Sequence, residues 1–187
     1  WRRLEALRIV LLHLAAELRV VFSEQQSVDF VELALAARQA LGRADAPSDL
    51  LLALDHRIRH LLVDEFQDTS QSQFRLLELL TSGWQPGDGR TLFLVGDPMQ
   101  SIYRFRDTDL ALFLRVRDAG LGAIRCRALK LECNFRSAPA IVDWSNATFA
   151  RVFPPSEDPT AGAAPFSASR ATRRNEPATA VEVHALV

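Results

Sequence analysis

The 187-residue chain is 48% hydrophobic and 24% charged, proportions typical of a soluble globular protein with a real core. Its formal net charge of −1 gives no global basic field, so any contact with a polyanion has to come from a local patch. No signal peptide is visible and no apolar run reaches the roughly 20 residues of a membrane span, so we expect a cytoplasmic, bacterial protein without a membrane partner.

Two composition features carry little functional information. Lys130 is the single lysine beside 21 arginines, which indicates GC-rich codons more than phosphate binding. Cys126 and Cys133 lack C-x-x-C spacing and nearby histidines, so we expect reduced, structural cysteines rather than a zinc site.

Helical patterns fill the first third of the chain. Apolar residues recur at helical spacing over residues 1–22, which predicts an amphipathic helix. Residues 28–41 predict a second helix, closed by Gly42. Ser48 is expected to cap a third helix that ends near Ile58.

Short apolar runs then alternate with helical patterns. Strands are predicted at residues 60–63, 91–95 and 124–131, and helices at residues 70–82, 108–119 and 137–150. The first two strands should be buried and parallel. In the last helix we expect Ser137 as the cap and Pro139 in the first turn. This alternation predicts an α/β fold with a parallel sheet.

The C-terminal part changes in character. Residues 154–180 hold five of the nine prolines and a single aromatic residue, Phe166, so we expect a mobile loop. Residues 181–187 predict one further strand, which would belong to a second domain.

The first segment with chemical potential is LLVDEFQDTS, residues 61–70. It delivers Asp64 and Glu65 to the carboxyl end of a strand, the edge where ligands bind in open α/β sheets. One carboxylate can hold a hydrated Mg²⁺, and its neighbour can orient or deprotonate a water. The alternative is an acidic helix start without a catalytic role.

The second segment is GDPMQSIYRFR, residues 96–106, which follows the next strand and therefore lies at the same edge. The amide of Gln100 can sense a phosphate oxygen. Tyr103 and Phe105 alternate with arginines, a combination that suits sequence-tolerant binding of single-stranded nucleic acid. The alternative is that both aromatic rings belong to the hydrophobic core.

The third segment is LECNFRS, residues 131–137. Arg136 lies between a predicted strand and a predicted helix, where its guanidinium could reach a phosphate as an arginine finger. A surface or ion-paired arginine is the alternative.

Together these three segments resemble motifs II, III and IV of superfamily 1 helicases, the family of UvrD, Rep, PcrA and the RecB/AddA helicase-nucleases. VDFVELALAA, residues 28–37, is similar to the helix that precedes motif II in that family. The resemblance covers residues 28–150, and the proline after Asp97 is closer to the RecB/AddA branch.

The resemblance implies a partial RecA-like P-loop NTPase fold with ATP and Mg²⁺ as cofactors. It implies an ATP-dependent 3′→5′ DNA helicase or translocase that acts in DNA repair or recombination. Its partners would be single-stranded and duplex DNA, with other subunits of a helicase–nuclease complex as a further possibility.

Roles at the nucleotide follow from the same resemblance. Asp64 would coordinate Mg²⁺, and Glu65 would activate the attacking water. Gln100 would contact the γ-phosphate and couple it to DNA, and Arg136 would reach the γ-phosphate from a second RecA-like domain.

The resemblance also implies roles in coupling and DNA binding. Gln67 and Asp68 would connect the nucleotide site to motif III. Tyr103 and Phe105 would stack on single-stranded bases, and Arg106 would help to hold the strand.

The chain departs from the family in what it lacks. It has no G-x-x-x-x-G-K-[ST] loop, and the family's Q motif and motifs Ia, V and VI are missing. Because Trp1 falls inside a helical pattern, we expect an internal piece that is inactive alone. Residues 1–130 would be the C-terminal half of a first RecA-like domain with leading helices. Residues 131–187 would start a second, including the mobile loop at 154–180.

Two other functions stay open on the sequence. A degenerate helicase domain would bind DNA or protein without catalysis, although the intact acids, Gln100 and Arg136 argue against decay. An unrelated Mg²⁺-dependent nuclease could use Asp64 and Glu65, but no other segment resembles one.

Overall fold

The computed structural model describes residues 1–103 and 108–173, together with Glu182 and His184. The helices in this part are α1 (Arg2–Gln25), α2 (Phe30–Leu41), α3 (Asp49–Arg57), α4 (Gln71–Leu80), α5 (Leu110–Ala119) and α6 (Pro139–Phe149). Its strands are β1 (Gly42–Arg43), β2 (Ala46–Pro47), β3 (His60–Val63), β4 (Thr91–Leu94), β5 (Cys133–Asn134) and β6 (Arg170–Ala171). Short 3-10 turns cover Phe66–Asp68 and Pro98–Gln100. None of the described helices combines the length and apolar character that a membrane crossing requires.

The predicted helices in the first half of the chain are confirmed, and local capping explains where they begin. The Ser48 hydroxyl accepts from the Leu51 N–H at the start of α3. Ser70 and Gln73 form a reciprocal capping box at the start of α4. Gly42 ends α2 with a φ of 79°, a conformation that glycine adopts without strain. Helix α1 is present but buries none of its residues, so its apolar stripe is exposed.

Strands β3 and β4 pair in parallel, as the sequence predicts, with His60 opposite Thr91 and Val63 opposite Leu94. Only one face of this pair packs on the core. On the other face Leu62 is 67% exposed and Phe93 is 57% exposed. The prediction of strands buried on both faces is therefore wrong for this chain, because its described elements cover one face only.

The predicted strand at residues 124–131 is also wrong. Its first residue closes a tight turn, in which Ile124 and Leu121 exchange backbone hydrogen bonds. Beyond it the backbone has no strand partner in the described residues, and Leu129 and Leu131 are 72% and 91% exposed. Pairing begins two residues after the predicted strand ends, where β5 meets β6 in parallel. An alternating pattern fails to form a strand when no neighbour accepts its hydrogen bonds.

The start of α6 differs from the prediction in one residue. Pro139 occupies the first turn as expected, but Ala138 holds the N-cap position and makes no side-chain cap bond. Ser137 is not the cap, because its backbone N–H donates to Asn134 Oδ1 in the preceding turn. That turn carries Arg136.

The core lies between the packed face of the β3–β4 pair and helices α4 and α5. Its fully buried members are Phe66, Phe74, Leu112, Val116 and Leu121. The ring centroid of Phe66 lies 6.0 Å from that of Phe113 on α5. Phe66 directly follows Glu65, so the core fixes the backbone on which the acidic pair is mounted.

Residues 154–173 make defined contacts within the expected loop. Ala164 is buried against α5, and the Phe166 ring packs on Phe149 and Phe153. Strand β6 falls in the same stretch. The mobility of this stretch stays a prediction, and residues 174–180 lie outside the described residues. So does the strand predicted at 181–187, apart from Glu182 and His184, which have no regular structure.

Candidate active site

The two acids that follow β3 are held in a tight turn. Glu65 has a φ of 51°, in the left-handed region, which costs a residue with a Cβ about 1–2 kcal/mol. Asp64 Oδ1 accepts the Glu65 N–H at 2.9 Å, which stabilises the turn. Both acids are exposed. Strained backbone of this kind clusters at functional sites, where the surrounding packing enforces it.

Gln67 connects the ends of β3 and β4 from a buried position, with 1% of its surface exposed. Its Nε2 donates to Glu65 Oε2 at 2.7 Å, and its Oε1 accepts the Asp97 N–H at 3.0 Å. Chemistry fixes this amide orientation at both ends, because an ionised carboxylate only accepts hydrogen bonds and a backbone N–H only donates. Gln67 therefore determines where the Glu65 carboxylate lies.

Gly96 gives Gln67 the space to do this. A Cβ at position 96 would lie 2.6 Å from Gln67 Oε1 and 3.1 Å from Gln67 N. In the sequence, Gly96 stands out only as the end of a strand. Its role is steric and becomes visible only when the two loops are side by side.

Asp97 extends the connection to the second candidate segment. Its Oδ1 accepts the Met99 N–H and its Oδ2 accepts Gln100 Nε2, both at 2.9 Å. A hydrogen-bonded chain thus runs from Glu65 through Gln67 and Asp97 to Gln100, which is exposed. Sequence reasoning missed Asp97, although an aspartate directly before Pro98 is a usual start for a helical turn.

The metal-binding potential of this edge is limited to few protein ligands. No group of three or more His, Cys, Asp or Glu side chains gathers anywhere in the described residues. Asp64 offers one exposed carboxylate, and the neighbouring Asp68 has a buried Oδ1 without a hydrogen-bond partner. Mg²⁺ keeps several waters and often uses one or two carboxylates together with substrate phosphates. The residues present therefore fit a hydrated Mg²⁺ rather than a protein cage.

Arg136 is not joined to the acidic edge by any hydrogen bond or ion pair described in residues 1–103 and 108–173. It is exposed, and its backbone N–H donates to Asn134 Oδ1 at 3.0 Å. Tyr103 is also at the surface, with 36% exposure. Phe105 and Arg106 lie outside the described residues, so their DNA-binding roles stay predictions.

Comparison with known proteins follows these features closely. Residues 5–119, more than half of the chain, match the family of the UvrD/REP helicase N-terminal domain. A protein of Desulfitobacterium hafniense, named as the A-type subunit of an ATP-dependent helicase/nuclease, is 36% identical over 146 residues, covering 75% of this chain and 10% of that protein.

Proteins of the same name from two other bacteria give similar values. The Lysinibacillus sphaericus protein is 35% identical over 167 residues, covering 81% of this chain and 13% of its own length. The Moorella thermoacetica protein is 38% identical over 150 residues, covering 75% and 10%. The chain thus spans about a tenth of the length of the curated relatives it matches.

Proposed function

Because the chain belongs to the family of the UvrD/REP helicase N-terminal domain, we propose that it forms part of an ATP-dependent DNA helicase. In that protein, ATP hydrolysis drives 3′→5′ movement along single-stranded DNA in repair or recombination. The relatives are named as one type of subunit in a helicase/nuclease, so we extend the proposal to a complex with a second type.

We place the chain within a RecA-like P-loop NTPase fold. Residues 1–130 would belong to a first RecA-like domain, and residues 131–187 would begin a second. The parallel β3–β4 pair, with acids at its carboxyl edge, supports this assignment. The open face with Leu62 and Phe93 is compatible with it, because strands of such sheets are covered on both faces.

The observation that carries the proposal is the hydrogen-bonded chain from Glu65 to Gln100. It puts a carboxylate in a strained turn and ties it to an exposed amide on the neighbouring loop. Glu65 would orient and deprotonate the attacking water, and Gln100 would contact the γ-phosphate. Asp64 would hold the hydrated Mg²⁺, which supplies charge neutralisation when ATP is bound.

Three further residues complete the proposed nucleotide site. Gln67 and Asp68 would couple the acidic turn to the loop of Gln100, a role that the two bonds of the Gln67 amide support. Arg136 would contact the γ-phosphate from the second domain. Its exposed guanidinium is available for this, and an arginine finger stabilises charge that develops in phosphoryl transfer.

The first test compares the 187-residue chain with a longer protein that carries it together with a phosphate-binding loop. The chain alone is expected to show no ATP turnover above background, with or without single-stranded DNA, because it has no G-x-x-x-x-G-K-[ST] sequence to cradle the phosphates. The longer protein should hydrolyse ATP, and faster with DNA. DNA-stimulated turnover by the chain alone would contradict the assigned roles, and DNA binding by the longer protein without turnover would favour a degenerate binding module.

On the DNA side, Tyr103 and Phe105 would stack on bases and Arg106 would hold the backbone. Replacing Phe105 with alanine in the longer protein should weaken single-strand binding by about 1–3 kcal/mol, the range for one lost base stack. A fluorescence titration measures the affinity, and a thermal melt of the same variant measures its stability. The exposed Phe30 provides a matched alanine control. A variant that melts several degrees early yet binds DNA normally would place Phe105 in the core.

A further inference from the structure

One segment of the chain, residues 157–172, contacts both the α5 side and the β5 side of the molecule. At its start Glu157 accepts two hydrogen bonds from the Arg117 guanidinium, at 2.6 and 2.7 Å. The Arg117 guanidinium lowers the pKa of the Glu157 carboxyl, as expected for a bidentate pair. Ala164 then lies buried against two leucines of α5. The first half of the segment is therefore anchored to α5 by charge and by packing.

In its middle, the segment reaches the loop that carries Gln100. The Ser167 backbone N–H donates to the Met99 sulfur at 3.1 Å. Met99 is the residue before Gln100 and sits inside the same 3-10 turn, whose first N–H bond is made by Asp97. A displacement of residue 167 thus acts directly on this turn.

At its end, the segment holds the turn of Arg136. The Asn146 side-chain amide exchanges two hydrogen bonds with the Ser169 backbone, at 2.8 and 3.1 Å. The Thr172 N–H and hydroxyl both donate to the Asn134 carbonyl, at 3.1 and 3.0 Å. The Asn134 side chain in turn accepts from the N–H groups of Arg136 and Ser137.

We propose that residues 157–172 form a strap that holds the Arg136 turn in register with the Gln100 turn. Residues 120–132 are the direct link between α5 and β5, and their backbone is mostly irregular, so they provide little mechanical connection. The strap supplies a second link, anchored at α5, Met99 and Asn134. Its value for catalysis rests on the proposed function, because only that function assigns Arg136 and Gln100 to one phosphate; the strap residues themselves are positioning residues.

The test cuts the strap at each end and measures amide hydrogen exchange at the other end, in the 187-residue chain. Glu157→Ala removes the α5 anchor and should speed exchange at the Arg136 and Ser137 amides about two- to fivefold, the range for a partly exposed ion pair. Thr172→Val keeps the shape and removes one bond to Asn134. It should speed exchange at the Asp158 and Ala163 amides, which bond each other, about two- to tenfold.

Matched variants separate coupling from loss of fold. Glu78→Ala breaks a comparable pair with Arg75 on α4 and should leave exchange at residues 134–137 unchanged. The charge swap Arg117→Glu with Glu157→Arg should restore slow exchange. Acceleration confined to the few residues around each substitution, or a swap that restores nothing while melting normally, would overturn the strap.

A kinetic readout in the longer protein distinguishes this inference from the proposed function. Thr172→Val should lower kcat for ATP while the KM for ATP stays constant, because Arg136 would be misplaced at the transition state. Exchange that propagates along the strap together with unchanged kcat would support the strap and contradict the role of Arg136. Exchange that stays local would overturn the strap even if the enzyme proves to be a helicase.

Discussion

Replacing Glu65 with glutamine is expected to lower ATP turnover about 10²–10⁴-fold in a longer protein that carries this chain, the range for loss of a general base. Glutamine keeps the size of the side chain. Its carbonyl oxygen can still accept the hydrogen bond from Gln67 Nε2 that Glu65 Oε2 accepts at 2.7 Å. The substitution therefore removes the basic group and leaves the hydrogen-bonded chain to Gln100 in place. ATP affinity should change little, because Glu65 acts on water and not on the phosphates.

The measurements are steady-state turnover with saturating single-stranded DNA and the affinity for a fluorescent ATP analogue. Glu17→Gln on α1 is a suitable control, since it makes the same chemical change at an exposed position far along the chain from the acidic turn. If turnover of the Glu65 variant stays within a few-fold of the unsubstituted protein, another group must activate the water. A large loss of ATP affinity instead would assign Glu65 to nucleotide or metal binding.

The sequence predicted the positions of the parallel strands and of most helices, because those depend on local signals. Periodicity located β3 and β4, and capping residues such as Ser48 located helix starts. The pairing of β5 with β6 was missed, because it joins two-residue strands whose partners lie 37 residues apart in register. Short runs carry no periodicity, and their pairing depends on contacts that only the folded chain provides.

The candidate site was predictable in its chemistry but not in its connections. Asp64, Glu65 and Gln100 stand out by residue type and by their places after two strands. The contribution of Gly96 depends on a distance of 2.6 Å between a hypothetical Cβ and Gln67 Oε1, which no sequence pattern encodes. Asp97 has the same kind of role, because its link to Gln67 exists only across the two loops.

Burial of β3 and β4 was overestimated for a related reason. Leucine, valine and phenylalanine in a short run predict a strand covered on both faces. Along the described chain only one face is covered, so Leu62 and Phe93 remain open. Composition reports what a strand is suited to, whereas coverage depends on which other elements are present.

The largest loss of stability is expected from Phe66→Ala. Phe66 is 2% exposed, packs in the core cluster with Phe74 and Leu112, and donates its N–H to the Val95 carbonyl at 2.8 Å. Removing the ring leaves a cavity between α4, α5 and the sheet, so the free energy of unfolding should fall by about 3–5 kcal/mol. For a chain of this length that corresponds to a Tm lower by roughly 6–20 °C.

Phe93→Ala is the matched control, because it truncates the same side chain on the open face of the same sheet, where Phe93 is 57% exposed. Its cost in the 187-residue chain should stay below about 1 kcal/mol, as for surface substitutions that create no cavity. Thermal and urea unfolding of both variants measure the difference. If the two substitutions cost the same, the open face is covered in solution, by self-association or by another part of the chain, and the one-sided core described for this chain is wrong. If Phe93→Ala becomes costly only in a longer protein, the added sequence covers the open face, as the proposed RecA-like fold requires.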